Sequence, residues 1–427
     1  MKAYKKLPIG DCDFASPFLD TLQYTPPARG MWNIVHVGML IPESHQIFVC
    51  AGGCLRGVVL TAAEMGAQDR FSTVSIEEFE TIDGSIEDNL IDGIDDVIRR
   101  LPKKPRAILV YTSCIHNFLN VDLKRVYAIL RKKYPVLEFT DCYMTPTMRK
   151  SGIDPDEKMR MQLYSLIDKP SEEDDGVTFI GDVYPISRKS ELYQMVKQSG
   201  RTFREITGTL KWEQYQELGR SRILVYSNPA ARKGAQELAM RLKKELVYLP
   251  YSFNPDVILD NDNKLSELLG VPFEEPDWSS ALDEASRFVQ KKRITIDYTA
   301  SARPLSLARL LSNHGFEVSS VYLEGFNGEE KDDFEYLKKN FPAIQIIKSS
   351  HPDLPFDRPN QVQDDVIAIG QKCAYYENTE HFVNLIADGG HYGFEAIDSL
   401  SRDIISAFNE RKPVKDIITV KGWGCRI

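Results

Sequence analysis

A chain of 427 residues has length for roughly two to three domains. Its composition, 42% apolar and 27% charged, is that of an ordinary globular protein. A formal net charge of −9, with no basic block to offset it, argues against a general nucleic-acid binder. No apolar run reaches the roughly 18 residues a membrane helix needs, so no membrane span is expected. The opening Met1-Lys2-Ala3-Tyr4-Lys5-Lys6 is charged with no apolar core behind it, which predicts no secretory signal and a cytoplasmic address. Thiols stay reduced in that compartment. The seven cysteines, at 12, 50, 54, 114, 142, 373 and 425, therefore read as ligands, redox groups or core residues rather than disulfides.

The first residues, to about Gly30, contain Cys12 and the turn-rich Thr25-Pro26-Pro27-Ala28-Arg29-Gly30, with little periodicity. A short apolar run, Ile47 to Val49, predicts a buried strand that ends in Cys50-Ala51-Gly52-Gly53-Cys54. Two glycines there permit a sharp turn or the close approach of a bulky group. A helix follows from Val58, then a second apolar run from Ser72 to Ile76. Asp83-Gly84-Ser85-Ile86-Glu87-Asp88 opens another helix, with Ser85 as its cap and acids in its first turn. Leu90, Ile91, Ile94, Val97, Ile98 and Leu101 recur at helical spacing, and Pro102 and Pro105 end the element. Strand 107–111 then ends in Thr112-Ser113-Cys114, and helix 121–133 and strand 136–139 continue the alternation. Such alternation implies a parallel sheet with crossover helices.

Met144 to Gly152 reads as a loop, with Arg149 and Lys150 a solvated basic pair or a greeting for an anionic substrate. A helix starts at Asp154-Pro155, where a missing N–H costs nothing. Lys169 to Gly176 is polar and charged, a linker. A second βα series opens at Val177-Thr178-Phe179-Ile180-Gly181-Asp182 and runs through helix 187–199, strand 222–227, helix 230–244 and strand 246–249. A third opens at Ile294 to Tyr298, with helix 304–313 stopped at Gly315 and strands near 317–323, 344–347 and 365–369. Strand 381–386, the turn Ala387 to Gly393 and helix 394–410 close the chain. The expected architecture is α/β, three Rossmann-like domains with parallel sheets. Residues 1–170 form the first domain, completed by 376–427; 177–290 form the second and 291–375 the third.

Two strand ends that each present cysteine suit a shared metal cluster. A thiol needs a metal or a positive field to act as thiolate at neutral pH, and iron–sulfur clusters, most often held by four cysteines, supply that need. Cys50 and Cys54 lie four apart and Cys114 sixty further on, a spacing that matches no local ferredoxin or zinc pattern. On spacing alone, a buried inert thiol is the commoner fate of a cysteine. His36 and His45 flank the first strand in core or surface roles. His116, two residues after Cys114, reads either as a group tuning a cluster sulfur or as a plain helix start. The Gly422 to Cys425 tail carries no assigned role, and neither does Asp297 at its strand end.

The segment from Val49 to Asp122 resembles component 1 of the nitrogenase-like oxidoreductases, a family of nitrogenase subunits, cofactor scaffolds and protochlorophyllide reductase subunits. Three stretches carry the resemblance: the strand into Gly53-Cys54, the helix opening Gly84-Ser85-Ile86-Glu87, and Ser113-Cys114 followed by Leu119-Asn120-Val121-Asp122. It continues weakly in Phe179-Ile180-Gly181-Asp182 and in Gly390-His391-Tyr392-Gly393-Phe394-Glu395. The resemblance implies an iron–sulfur cluster, [4Fe–4S] or larger, between two subunits of a homo- or hetero-dimer, with Cys54 and Cys114 as ligands. The family's first ligand would fall near Ala28 to Gly30, where no cysteine stands, so Cys50 or Cys12 takes its place.

It also implies an ATP-dependent reductase partner with its own [4Fe–4S] cluster; no Gly-x₄-Gly-Lys-Ser/Thr loop occurs here, so the ATP step belongs to that partner. Residues 177–290 hold no cysteine, Cys373 is isolated, and His381 falls only near the family's cofactor histidine, with His391 in the following turn. Dinitrogen reduction is therefore not expected. The leading expectation is an oxidoreductase subunit passing electrons to a small molecule in the cleft between domains, outside the carboxyl ends of strands. The alternatives are a non-catalytic scaffold for metallocofactor or tetrapyrrole assembly and a cluster-free binding protein of the same fold.

Overall fold

The computed structural model describes residues 6–15, 18, 34–64, 66–144, 153, 155–349, 351 and 353–414. Its first strand, β1 (Lys6–Pro8), belongs to the last of three sheets. The first sheet has the order β3-β2-β4-β5, all parallel, from β2 (Ser44–Cys50), β3 (Phe71–Ser75), β4 (Ala107–Ser113) and β5 (Glu138–Met144). Its two central strands are buried along their whole length, as continuous apolar strands of a covered parallel sheet must be.

Alternate residues serve the two faces. Ile47, Val49, Ile108 and Val110 pack with Leu90, Ile94, Ile98, Val126 and Leu130. Phe48, Cys50, Leu109 and Tyr111 pack on the other side with Val58, Ala62 and Leu163. The Phe48 and Tyr111 rings stack across the strands at 4.0 Å.

The helix predicted from its apolar recurrence spans Ile86–Arg100, with Glu87 and Asp88 in the first turn and Arg99 and Arg100 in the last. Ser85 does not cap it. Its hydroxyl donates to Asp83 and accepts from the Asn89 amide (2.8 Å). Asp122 caps the helix Leu123–Lys133, accepting from the Arg125 N–H at 3.0 Å. β5 runs further than the expected strand 136–139 because Cys142 and Met144 remain in the core.

The second sheet, order β7-β6-β8-β9, is also parallel: β6 (Asp174–Ile180), β7 (Phe203–Glu205), β8 (Ser221–Tyr226) and β9 (Glu245–Tyr248). β6 begins inside the expected linker, where Asp174 is held by Arg204 at 2.9 Å and the register shifts before Val177.

The third sheet has the order β1-β12-β11-β10-β13-β14, from β10 (Arg293–Asp297), β11 (Glu317–Leu323), β12 (Gln345–Lys348), β13 (Val366–Ile369) and β14 (Phe382–Val383). All its pairings are parallel except the edge strand β1, which runs antiparallel to β12. The α/β class with three parallel-sheet layers is as expected.

The chain divides into two compact units. Of the described residues, one holds those of 26–183 and 202–248 and contains the first two sheets; the other holds those of 1–25, 184–201 and 249–420 and contains the third. Residues 249–290, expected with the second domain, fall in the third sheet's unit. So does the described part of 376–427, expected to complete the first domain. The physical reason is pairing and packing: β14 extends β13, and helix Phe394–Asn409 lays Ile397, Leu400, Ile404 and Ala407 inward, against β14 and helix Ser279–Phe288. Among the described residues no helix is long and apolar enough to cross a membrane.

Candidate metal centre

β2 and β4 are neighbours, pairing Phe48 with Tyr111 and Val49 with Thr112. β3 lies outside β2 and β5 outside β4, so the winding of the sheet reverses between the two central strands. Open α/β sheets receive ligands outside the carboxyl ends of their strands at such a point. Cys50 is the last residue of β2, and Cys114 follows the last residue of β4 and opens helix Cys114–Phe118. Cys54 sits in the first turn of helix Gly52–Glu64, its N–H donating to Ala51 O at 2.9 Å. Cys50 is fully buried, whereas Cys54 and Cys114 are half-buried.

These three thiols share one locality. Burial pushes Cys50 up to about 12, with smaller upward contributions from Cys54 and Cys114. Burial raises Cys54 as well, and Cys114 adds to it. Among the described residues no basic side chain enters either balance, so without a metal these two groups are thiols at neutral pH.

Gly52 and Gly53 are the first two residues of the helix, and neither has the positive φ of a sharp turn. Among the described residues a Cβ added to either would meet no heavy atom within 4 Å, and both residues are exposed. Glycine in a helix costs roughly 0.5–1 kcal/mol relative to alanine. Among the described residues nothing requires that cost at these positions. Of the two readings of the pair, the turn is excluded and the close approach of a bulky group remains.

His116 is buried and accepts a hydrogen bond at Nδ1 from the Ser113 N–H (3.1 Å), which ties down the turn into Cys114. The proton of the neutral ring is then on Nε2, which is buried without a hydrogen-bond partner among the described residues. Burial lowers its pKa to about 4.

The other cysteines are placed elsewhere. Cys12 lies in the unit of the third sheet, buried just after β1, with its S–H on Pro8 O (3.4 Å); burial pushes it up to about 11, and its charged neighbours are Lys338 and Asp11. Cys142 is buried beside Tyr111. Cys373 is buried with its S–H toward Ile369 O (3.3 Å). Cys425, Ala28 to Gly30, Arg149 and Lys150 lie outside the described residues. His381 spends Nδ1 on Ala407 O (2.9 Å), and His391 pairs with Glu395 at 3.0 Å.

Among the described residues no three His, Cys, Asp or Glu side chains stand preassembled around a metal position. Cys50, Cys54 and Cys114 are thus neighbours without being a closed ligand set. Soft thiol donors at a strand-end crossing, beside an open glycine ledge, fit part of the shell of an iron–sulfur cluster. They do not fit a complete shell from one chain.

The model of the nitrogenase component 1 type oxidoreductases matches residues 34–362. The chain belongs to that family. In solved structures it is similar to "Nitrogenase Cp1 at pH 6.5", at 14% identity over 92% of this chain and 94% of that one, with a TM-score of 0.66. It is also similar to "Nitrogenase Cp1 at pH 5", at 13% identity over 92% and 91%, with a TM-score of 0.57. At these identities the likeness concerns the fold. No curated protein matches the chain.

The weaker family stretches prove to be backbone devices. Gly181 of this component 1 relative has φ +94° and donates to Tyr164 Oη at 2.7 Å, and a Cβ there would lie 2.1 Å from that of Ala231. Gly390, at φ +81°, passes as close to Pro185 O.

Proposed function

We propose that this chain is an electron-accepting subunit of a nitrogenase-like reductase, holding an iron–sulfur cluster of the [4Fe–4S] type or larger. Cys54 and Cys114 serve as thiolate ligands, with Cys50 as a further one. A second component 1 subunit, identical or homologous, completes the shell, and electrons come from an ATP-dependent iron–sulfur reductase in the cytoplasm. The cluster supplies one-electron redox chemistry when bound. This chain's residues hold its sulfur-rich side, exclude water behind it through buried Cys50, and set the turn at Cys114 through His116.

The observation that carries the reading is the meeting of three thiols at the β2/β4 crossing beside an open ledge. A scaffold role is favoured instead by the half-buried, unclosed ligand set, which suits a cluster in transit. Anaerobic protein mixed with an iron–sulfur reductase and ATP separates the two. A catalytic subunit undergoes cluster reduction followed by substrate-dependent reoxidation; a scaffold gives up its cluster to an apo-acceptor without turnover. Colourless, iron-free protein contradicts both and leaves a cluster-free binding protein.

A further inference from the structure

Three helices of the third sheet's unit meet at two carboxyl groups. Asp262 stands on the inner face of helix Pro255–Leu269, in line with Ile258, Leu265 and Leu269, and is fully buried. Neither of its carboxyl oxygens has a hydrogen-bond partner among the described residues. Buried polar groups are nearly always paired, so an aspartate left this way has a cause to be found. Glu191 opens helix Glu191–Gln198, which packs against Pro255–Leu269, and is half-buried. Gly393 passes beside both, at φ +70° and ψ −148°, a backbone region open in practice only to glycine. A Cβ there would collide with Glu191 Oε2 and lie 3.9 Å from Asp262 Oδ2. The two carboxyl groups thus meet at one backbone position.

Gly393 also precedes helix Phe394–Asn409, whose start treats the two acids differently. The Glu395 N–H donates to Glu191 Oε2 at 3.4 Å, and the Phe394 N–H favours the same carboxylate. Free N–H groups and the positive end of the helix dipole stabilise an anion at such a place. Glu191 is therefore the ionised member, and it caps the helix. Asp262 has no such support. Burial pushes it up to about 8, with Glu191 adding to the rise, and among the described residues no basic side chain enters its balance. Burial pushes Glu191 up to about 7, against the pull of those N–H groups. The other charged groups at the joint are Glu395, which raises Glu191, and His391, which pairs with Glu395 at 3.0 Å and has Asp403 beyond it.

We propose that Asp262 and Glu191 hold one proton between them, and that its loss in mild alkali uncaps helix Phe394–Asn409. The Asp262 O–H bond breaks, the proton passes to base in solvent, and two like charges are left at Gly393. Asp262 is fixed in mid-helix and fully buried, so it stays. Glu191, at a helix start and half-buried, turns outward and releases the Phe394 and Glu395 N–H groups. The first turn of the helix then frays. The joint lies within one unit and involves no metal, so it stands or falls apart from the redox reading. The sign of the linkage follows from the raised acid. The folded chain holds this proton more tightly than the unfolded one, so stability declines as pH rises from 3.8 towards about 8 and no further beyond it.

Two measurements on the full chain test the joint. Asp262→Asn keeps the shape and removes the proton, so its urea midpoint climbs relative to the wild type between about pH 5 and about pH 9. An aspartate with a merely structural role gives an offset that does not vary with pH. Hydrogen exchange, corrected for its intrinsic rate, reads the helix itself. In the wild type the first turn of Phe394–Asn409 opens ~10-fold or more above about pH 8, and in Asp262→Asn and Glu191→Gln it does not. Should Asp262→Asn fail to fold, Glu191→Gln carries both comparisons, since it removes the like charge and still accepts the N–H groups. An offset constant with pH, or a first turn whose opening is insensitive to pH in the wild type or equally sensitive in the variants, overturns the proposal.

Discussion

At the scale of single residues, the thiols and the imidazole behind them respond to pH in opposite ranges. Burial holds Cys50 up to about 12, so iron binding there displaces a proton that water alone does not remove at neutral pH. Metal uptake by the chain is expected to release protons and to weaken as pH falls, which a dye-coupled iron titration between pH 6 and 8 reads directly; proton-neutral uptake would contradict it. His45 and His116 are both buried, with their pKa values lowered to about 4 from 6.5. A base with a depressed folded pKa keeps its full stability above the unfolded value and loses it as pH falls through the folded one. The window is therefore pH 6.5 to 4, and each histidine accounts for about 3 kcal/mol across it. Denaturant midpoints of His116→Gln and the wild type should converge as pH drops through that window; curves that stay parallel would refute the assignment.

At the scale of elements, the helix Gly52–Glu64 opens with two glycines that no other described residue requires. Gly53→Ala should stabilise the metal-free chain by about 0.5–1 kcal/mol in urea unfolding and at the same time lower the iron retained after anaerobic purification. A substitution that stabilises and leaves iron unchanged would remove the reason for the ledge. Elements with a long period were legible in the sequence: Ile86–Arg100 declares itself by its apolar recurrence, its acidic start and its basic end. β1 and β7 were not, because three residues hold no period to read, and β14 is shorter than the strand expected over 381–386. Strand ends were legible too, which placed Cys54 and Cys114 at one sheet edge. The hydrogen-bonded group of Lys372, Tyr298 and Glu324, in which the ammonium donates to the phenol and the phenol to the carboxylate, was not, since its members meet only after three strands from distant parts of the chain lie side by side. Its one local signal was an aspartate ending a strand, Asp297, which without its partners had no assignable role.

At the scale of the whole molecule, alternating strands and helices gave three parallel sheets, but not the company their neighbours keep. Helices between 249 and 290 have amphipathic faces that suit either adjoining sheet equally well as sequence; only packing assigns them to the third. The same limit applies to the metal centre. On the proposed reading three thiols in one chain leave coordination positions open, and a second chain supplying the remainder would make metal and dimer interdependent. Removing iron with a chelator should therefore shift the dimer toward monomer in sedimentation, and a dimer indifferent to chelation would place the cluster within one chain.

The most direct measurement is iron and acid-labile sulfide per chain in anaerobically purified wild type, Cys54→Ser, Cys114→Ser and, as control, Cys142→Ser, each with its mass in solution. Iron and sulfide in the wild type and the control, lost from both Cys54→Ser and Cys114→Ser with folding intact, is the outcome the account predicts. Wild type without iron, or iron undiminished in both ligand variants, would contradict it.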